Sequence, residues 1–157
     1  MRVGQGYDLH PFQDGKRLVL GGVVFEGERG LSGHSDGDAL THALIDALLG
    51  AAALGDIGTH FPSSDQRWRD ADSIDLLKQV TKVVVAAGYT IINVDMTVIA
   101  ERPRVAPRVR DMRTRLSMAL GVDVGQVSVK ATTTDGLGTL GRGEGIAAQA
   151  IALLEER

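Results

Sequence analysis

Residues 33–42 read GHSDGDALTH, and this stretch decides how the chain begins its principal helix. The ten residues contain two histidines and two carboxylates. The apolar side chains that follow recur at steps of three and four residues: Ala39, Leu40, Ala43, Leu44, Ala47, Leu48 and Ala51. That period is typical of one buried helix face and predicts a helix that begins at Asp36 or Gly37 and ends by Gly55. His42 then lies about one turn inside the helix.

The segment GQGYDLH at residues 4–10 is the natural complement of this helix. Side chains alternate along an extended backbone, so Asp8 and His10 share one face. With His42 they would form a site of two nitrogens and one oxygen, which leaves a fourth zinc position open to polarise a substrate. Carboxylates one turn before and after His42 could hold its second ring nitrogen: Asp38 and Asp46. The alternative is that His10 ends a strand at the surface and His42 caps a helix face.

Composition narrows the class of protein. A chain of 157 residues predicts one domain, residues 1–157, large enough to bury a core. The net charge of −3 and six aromatic residues argue against nucleic-acid binding. No cysteine is present, so a zinc site would use histidine and carboxylate. No apolar run is long enough for a membrane span or a signal core, and we expect a cytoplasmic protein.

The order of predicted elements is β, β, α, α, β, α, β, α. Strands are predicted over 1–12, 17–25, 89–100 and 126–132, with a bend at the Gly21-Gly22 pair. Helices after the first are predicted from Ser73 to Gly88, over 107–120 and over 146–154. The polar connection 55–72 has the length of a functional or mobile loop. This order predicts an α/β layer sandwich, a mixed sheet with helices on one face.

Two further groups could contact phosphate. His34 and Ser35 precede a helix N-terminus, where free amides favour anions, although Ser35 or Asp36 could merely cap the helix. Residues 132–135 (TTTD) follow a strand at the edge where α/β proteins place ligands, although threonine is also an ordinary strand residue. Asp135 could hold Mg²⁺ together with substrate phosphates. Residues 102–104 (RPR) could meet a diphosphate, and the glycine-rich 141–145 could wrap a phosphate or form a plain turn.

Four stretches carry a resemblance that covers the chain in order. They are GYDLH at 6–10, GHSDGDALTHALIDALLGAAALGDIGTHFP at 33–62, NVD at 93–95 and VKATTTDGLGTLGRGEGIAA at 129–148. The chain resembles the 2-C-methyl-D-erythritol 2,4-cyclodiphosphate synthase family. The resemblance implies a lyase of the non-mevalonate pathway of isoprene biosynthesis. Its substrate would be 4-diphosphocytidyl-2-C-methyl-D-erythritol 2-phosphate, and its products the cyclic diphosphate and CMP.

The resemblance also implies roles for individual residues. Asp8, His10 and His42 would bind one Zn²⁺ per subunit, and Asp135 would bind Mg²⁺ or Mn²⁺ on the nucleotide diphosphate. His34 and Thr133 would stabilise the transition state. The remaining implied contacts are with substrate: Ser35, Asp56, Ile57, Gly58 and Phe61 at the methylerythritol phosphate, Ala100, Arg104, Ala106, Ala131, Thr132 and Thr134 around the nucleotide, and Arg142 near phosphate.

The family assembles as a homotrimer with each site between two subunits, so the resemblance implies the same assembly here. Three residues depart from the family pattern: Asp135 stands in place of glutamate, Gln5 in place of a histidine and Thr139 in place of a phenylalanine. The shorter Asp135 would change the reach to Mg²⁺ by one methylene. Two other functions remain as alternatives, a metal-dependent phosphohydrolase and a non-catalytic trimer that binds isoprenoid diphosphates.

Overall fold

The computed structural model describes residues 1–157 and has one five-stranded mixed sheet with helices on one face. The strands of this sheet lie in the order Gly30–Leu31, Arg2–Gln13, Gly145–Glu156, Tyr89–Ile99 and Val127–Thr132, and only the last two are parallel to each other. A two-stranded hairpin, Leu18–Leu20 with Val23–Phe25, lies apart from this sheet. The predicted layer sandwich is confirmed. No helix of the chain has both the length and the apolar character that crossing a membrane requires.

The elements follow in a simple order along the chain. The strands are β1 (Arg2–Gln13), β2 (Leu18–Leu20), β3 (Val23–Phe25), β4 (Gly30–Leu31), β5 (Tyr89–Ile99), β6 (Val127–Thr132) and β7 (Gly145–Glu156). The helices are α1 (Ala39–Ala52), α2 (Ile57–His60), α3 (Ser73–Ala86), α4 (Val109–Leu120) and α5 (Gly138–Gly141). Three short 3₁₀ turns complete the set, at Gln66–Trp68, Ala106–Arg108 and Val124–Gln126.

Helix α1 lies directly on the backbone of β1. A Cβ atom on Gly4 would lie 2.0 Å from the carbonyl oxygen of Ala47, and one on Gly6 would lie 1.8 Å from that of Ala43. These contacts require glycine, because any side chain would overlap the helix backbone. Asp8 and His10 follow Gly4 and Gly6 at steps of two, so they face the same helix near its first turn.

The start of α1 differs from the prediction. The helix begins at Ala39, and Asp38, rather than Ser35 or Asp36, is the N-cap that accepts the N–H of Thr41. Asp38 is fully buried and also accepts the N–H groups of Gly21 and Gly22 at 2.9 and 2.8 Å. The carboxylate therefore joins the β2–β3 turn to the helix N-terminus. The predicted bend at this glycine pair is confirmed.

The prediction of a last helix over 146–154 is wrong, because these residues form β7. The segment reads IAAQAIALL, and alanine, leucine and glutamine favour helices when they are considered locally. In the fold, β7 is the central strand and pairs with β1 on one side and β5 on the other. Its inward positions are small where α1 packs on them, with Ala148, Ala150 and Ala152 buried while Gln149 and Ile151 are exposed. Tertiary packing here overrides local propensity.

The second face of the sheet carries apolar side chains that no helix covers. Val3, Tyr7 and Leu9 on β1 are 69%, 52% and 46% exposed, and Ile151 on β7 is 49% exposed. The core lies on the opposite face, between the sheet and helices α1, α3 and α4. Because side chains alternate along β1, one of its faces has the glycines and the candidate metal ligands, and the other face has exposed apolar side chains.

Candidate metal centre and active-site pocket

Asp8, His10 and His42 bring three donor atoms together. The Oδ2 atom of Asp8 lies 2.6 Å from Nε2 of His10 and 3.1 Å from Nδ1 of His42, and the two nitrogens lie 3.3 Å apart. These residues form a group of donor atoms that could hold a metal ion. Tetrahedral Zn²⁺ with bonds of about 2.0 to 2.1 Å separates its ligand atoms by roughly 3.3 Å. The two separations that involve His42 are close to this value, and the Asp8–His10 pair would have to open by roughly 0.7 Å, so the donor set suits a tetrahedral divalent ion after that small movement.

The carboxylate of Asp8 and the ring of His42 adjust each other's protonation. Burial would raise the pKa of Asp8, but hydrogen bonds and charge from His10 and His42 outweigh it and lower this pKa to about 2. Burial would lower the pKa of His42, but Asp8 and two other carboxylates of the α1 N-terminal region outweigh it and raise this pKa. Asp8 is thus an anion at neutral pH, as a metal ligand must be.

The second nitrogen of His42 does not contact the carboxylates predicted to hold it. Nε2 lies 2.9 Å from both Ser35 Oγ and Ser73 Oγ. Asp38 is occupied by its capping bonds, and Asp46 accepts the N–H of Ile57 at 2.8 Å. The prediction for Asp38 and Asp46 is therefore wrong, because hydroxyls from the loop before α1 and the start of α3 lie closer to the ring.

A cavity of about 240 Å³ opens at the three donor groups. Five more of the predicted site residues line it: His34, Ser35, Ile57, Gly58 and Phe61. Asp46 lines it as well, and burial raises the pKa of its carboxyl. Asp56 does not line the cavity, but it caps α2 by accepting the N–H and hydroxyl of Thr59, both at 2.8 Å. The structure thus brings the three donor groups and five more predicted residues to one cavity, with loop 55–72 forming one wall.

The other predicted residues lie outside this cavity, which is lined only by residues from the first 76 of the chain. Thr132, Thr133 and Asp135 are exposed at the end of β6, and Thr133 Oγ1 donates to Asp135 Oδ1 at 3.3 Å. The backbone of Ala100 donates to the Thr132 carbonyl, so the ends of β5 and β6 meet. Ala131 and Thr134 adjoin these residues in the chain, Arg142 and Arg104 line two cavities that both include Glu101, and Ala106 begins a 3₁₀ turn. The predicted site residues therefore fall into two separate sets.

Glu101 organises the second set and was missed in the sequence. One carboxylate oxygen accepts the N–H of Thr134 at 2.9 Å, its hydroxyl at 3.1 Å and the N–H of Gly136 at 3.4 Å. The Thr134 N–H bond is the main reason that the pKa of Glu101 is lowered. The residue directly follows a predicted strand, but the parallel pairing of β5 with β6, which brings it to Thr134, is not visible in the sequence.

Ser73 and Trp68 were also missed, since neither occurs in a recognisable metal or nucleotide motif. Trp68 lines the cavity and stacks edge-on against Phe61 with ring centroids 4.9 Å apart. Its indole N–H is buried without an acceptor. Ser73 is fully buried at the first position of α3. The polar connection 55–72 therefore contributes both an aromatic wall and the entry to a helix that touches His42.

Comparisons with known proteins agree along the whole chain. The YgbB family model matches residues 1–155. A relative from Moorella thermoacetica named 2-C-methyl-D-erythritol 2,4-cyclodiphosphate synthase is 59% identical, covering 100% of this chain and 96% of that protein. A second relative with the same name, from Syntrophomonas wolfei, is 56% identical, covering 99% of both.

A solved structure with the same fold contains a bound ligand. IspF from Plasmodium falciparum, solved as a CDP complex, has a TM-score of 0.87 and 34% identity, covering 99% of this chain and 96% of that chain. Because the family match and both relatives extend over nearly the full length, the chain belongs to the YgbB family, the family of the 2-C-methyl-D-erythritol 2,4-cyclodiphosphate synthases.

Proposed function

We propose that this chain converts 4-diphosphocytidyl-2-C-methyl-D-erythritol 2-phosphate into 2-C-methyl-D-erythritol 2,4-cyclodiphosphate and CMP. An oxygen of the 2-phosphate attacks the β-phosphorus, a new P–O bond forms, and the bond from the β-phosphorus to the CMP oxygen breaks. The enzyme belongs to the non-mevalonate route of isoprenoid synthesis, as its relatives do. The substrate carries its own nucleophile, so the protein must chiefly position two phosphates and neutralise charge.

The observation that carries this proposal is the convergence of Asp8, His10 and His42 at a cavity in a chain that matches its relatives end to end. These residues would hold Zn²⁺. When bound there, the ion supplies a Lewis acid that polarises a β-phosphate oxygen. The buried His42 and the anionic Asp8 give this corner a fixed geometry in which the chain can align the phosphate.

The residues around the cavity take the methylerythritol phosphate end of the substrate. Ser35 offers a hydroxyl beside His42, and His34 offers an imidazole at the cavity wall. His34 acts by stabilising negative charge that builds up on the transferred phosphoryl group. The backbone at Ile57 and Gly58 and the ring of Phe61 form the opposite wall, and Asp56 fixes that turn from outside.

The nucleotide end is assigned to the second set of residues. Thr133 would stabilise the transition state, and Asp135 would hold Mg²⁺ or Mn²⁺, since such ions bind one or two carboxylates together with substrate oxygens. The remaining contacts surround the nucleotide and its phosphates: Ala100, Arg104, Ala106, Ala131, Thr132, Thr134 and Arg142. The turn that contains Thr134 and Gly136 supports these residues, because both backbone N–H groups donate to Glu101.

A homotrimer accounts for the separation of the two sets. The metal cavity of one subunit would face the 132–135 turn of its neighbour, and each site would need both chains. The uncovered apolar face of β1 and β7, with Val3, Tyr7, Leu9 and Ile151, supports an interface there, since large exposed apolar patches mark protein contacts. We assign the enzyme to the cytoplasm, because a substrate with several phosphate charges does not pass a bilayer unaided.

Phosphorus NMR tests the proposed function directly. The purified protein is mixed with the cytidine diphosphate substrate, first with Zn²⁺ and Mg²⁺ and then with a chelator. We expect CMP and a cyclic diphosphate, a block by the chelator and recovery when the metals return. CMP with only a linear phosphate would instead identify a phosphohydrolase. Metal and isoprenoid diphosphate binding without turnover would identify a non-catalytic binding protein.

A further inference from the structure

The far side of His42 is held by a buried hydroxyl that is itself held by a carboxylate. Ser73 Oγ lies 2.9 Å from His42 Nε2, and it also donates a short hydrogen bond to Asp36 Oδ1. The backbone N–H of Ser73 donates to Asp36 Oδ2 at 2.8 Å. Asp36 therefore binds Ser73 with both carboxylate oxygens, and the N–H of Asp38 adds a bond to Oδ1 at 3.1 Å.

Hydrogen counting fixes the direction of these bonds. A serine hydroxyl has one hydrogen, and an ionised carboxylate can only accept. The hydrogen of Ser73 is committed to Asp36, so towards His42 the Ser73 oxygen can only accept. The bond between Nε2 and Ser73 then requires that Nε2 carries a hydrogen. Ser73 is fully buried and His42 is 7% exposed, so bulk water does not compete for this contact.

Ser35 alone would not determine whether Nε2 of His42 carries a hydrogen. Its hydroxyl also lies 2.9 Å from Nε2, but His42 is the partner that the structure gives it. Its hydrogen is therefore free to point towards the ring, where it donates to an unprotonated Nε2, or away from the ring, where the oxygen accepts from a protonated Nε2. The difference between the two serines is the Asp36 carboxylate, which binds Ser73 and not Ser35.

We propose that Asp36 and Ser73 are positioning residues that hold His42 in the tautomer protonated on Nε2, with the Nδ1 lone pair presented to the metal. Nδ1 is the atom that faces Asp8 Oδ2, at 3.1 Å. This inference rests on the proposed zinc site. A metal-bound histidine is commonly oriented through its second nitrogen, and loss of such a partner typically costs about 10- to 100-fold in metal affinity.

The zinc dissociation constant tests the proposal, measured by competition with a chromophoric chelator of known affinity. The variants are Ser73→Ala, Asp36→Asn and their combination, and the control is Ser117→Ala. Ser117 is also a buried serine, but its hydroxyl bonds the Thr114 carbonyl on α4, away from the metal site. We expect Ser73→Ala to weaken zinc binding about 10- to 100-fold, with Asp36→Asn near the lower end of this range.

The combined variant is expected to be no weaker than Ser73→Ala, because both changes break the same chain of bonds. Added zinc is expected to restore turnover in Ser73→Ala, which a folding defect would not allow. Ser73→Ala with wild-type zinc affinity would overturn the proposal, and so would unchanged affinity in Asp36→Asn if Ser73→Ala does not fold. Zinc binding by His42→Ala with the affinity of the wild-type protein would instead overturn the zinc site itself.

Discussion

Gly6 and Ala43 are in contact so close that a Cβ atom on Gly6 would lie 1.8 Å from the Ala43 carbonyl oxygen. The contact lets α1 rest on the backbone of β1. Asp8 follows Gly6 on the same face of the strand, and His42 precedes Ala43 on the helix. The distance between strand and helix at this point therefore determines the 3.1 Å separation between Asp8 Oδ2 and His42 Nδ1.

Gly6→Ala is expected to destabilise the fold and weaken zinc binding together. The added methyl group must push the helix from the strand, and overpacking of this kind costs about 1 to 3 kcal/mol or more. Urea unfolding and zinc competition measure the two effects. Gly125→Ala is the matched control, since a Cβ there meets nothing within 4 Å. Equal stability of the two variants would contradict the close contact.

His42→Ala is expected to abolish zinc binding and turnover while the chain stays folded. The change removes one of three donor groups, and the resulting loss of stability is expected within about 0.5 to 3 kcal/mol. His60→Ala is the control, because the His60 ring bonds the Leu54 carbonyl and does not line the cavity. Zinc content and circular dichroism are measured together. Wild-type turnover in His42→Ala would remove this ligand from the mechanism.

Asp38→Ala is expected to unfold the protein more readily than Asp72→Ala. Asp38 is a buried N-cap that accepts from Gly21, Gly22 and Thr41, whereas Asp72 caps α3 through a single bond to the N–H of Ile74. Removal of an exposed cap costs about 1 kcal/mol. Removal of Asp38 leaves several buried donors unpaired, and we expect about 2 to 4 kcal/mol. Similar denaturation midpoints for both variants would contradict the role of Asp38 as a joint between the hairpin and α1.

Ile151→Glu is expected to break the proposed trimer. The side chain lies on the uncovered sheet face, on the central strand β7 between Gln5 of β1 and Asp95 of β5, and a buried unpaired charge would oppose association there. Met118→Glu is the control, because Met118 is also an exposed apolar residue but lies on α4. Analytical ultracentrifugation measures the assembly, and turnover is expected to fall with it. A trimeric Ile151→Glu protein would place the interface elsewhere.

Acid is expected to loosen the turn at 132–136. The pKa of Glu101 is lowered, chiefly by the N–H of Thr134, so its contribution is complete above its ordinary value of 4.5. That contribution is lost as the pH falls through the folded-state pKa, because protonation weakens the carboxylate as an acceptor. The amide chemical shifts of Thr134 and Gly136 report the transition below pH 4.5. Glu101→Gln keeps an acceptor without a charge, and a transition of unchanged size in this variant would exclude Glu101 as its source.

The sequence contains enough local information for most elements, with one instructive exception. The apolar period and the glycine positions of the sequence predict strand β1, the hairpin around Gly21-Gly22 and helices α1, α3 and α4. Residues 146–154 (IAAQAIALL) have alanine, isoleucine and leucine at spacings that suit either a helix or a strand. Their strand state depends on the two neighbours, β1 and β5, which lie far away in the chain.

The sequence likewise indicates some residues of the candidate site and not others. Asp8 and His10 at a step of two, and His42 one turn into a helix, were sufficient to nominate the three donor groups. Spacing could not indicate Ser73, Asp36 or Glu101 as partners, because each acts on residues more than 30 positions away. It also could not indicate that Asp38 accepts hydrogen bonds from the hairpin and not from the ring of His42.

The sequence by itself determined the residue types, the period of each element and the family, since these depend on side chains that are near one another along the chain. The tertiary structure alone decided which nitrogen of His42 faces Asp8, which hydroxyls hold the other nitrogen, and which face of β1 stays uncovered. Those features depend on the packing of α1 against glycines of β1 and on strand pairing. Such long-range contacts form only when distant segments exclude water from a common core.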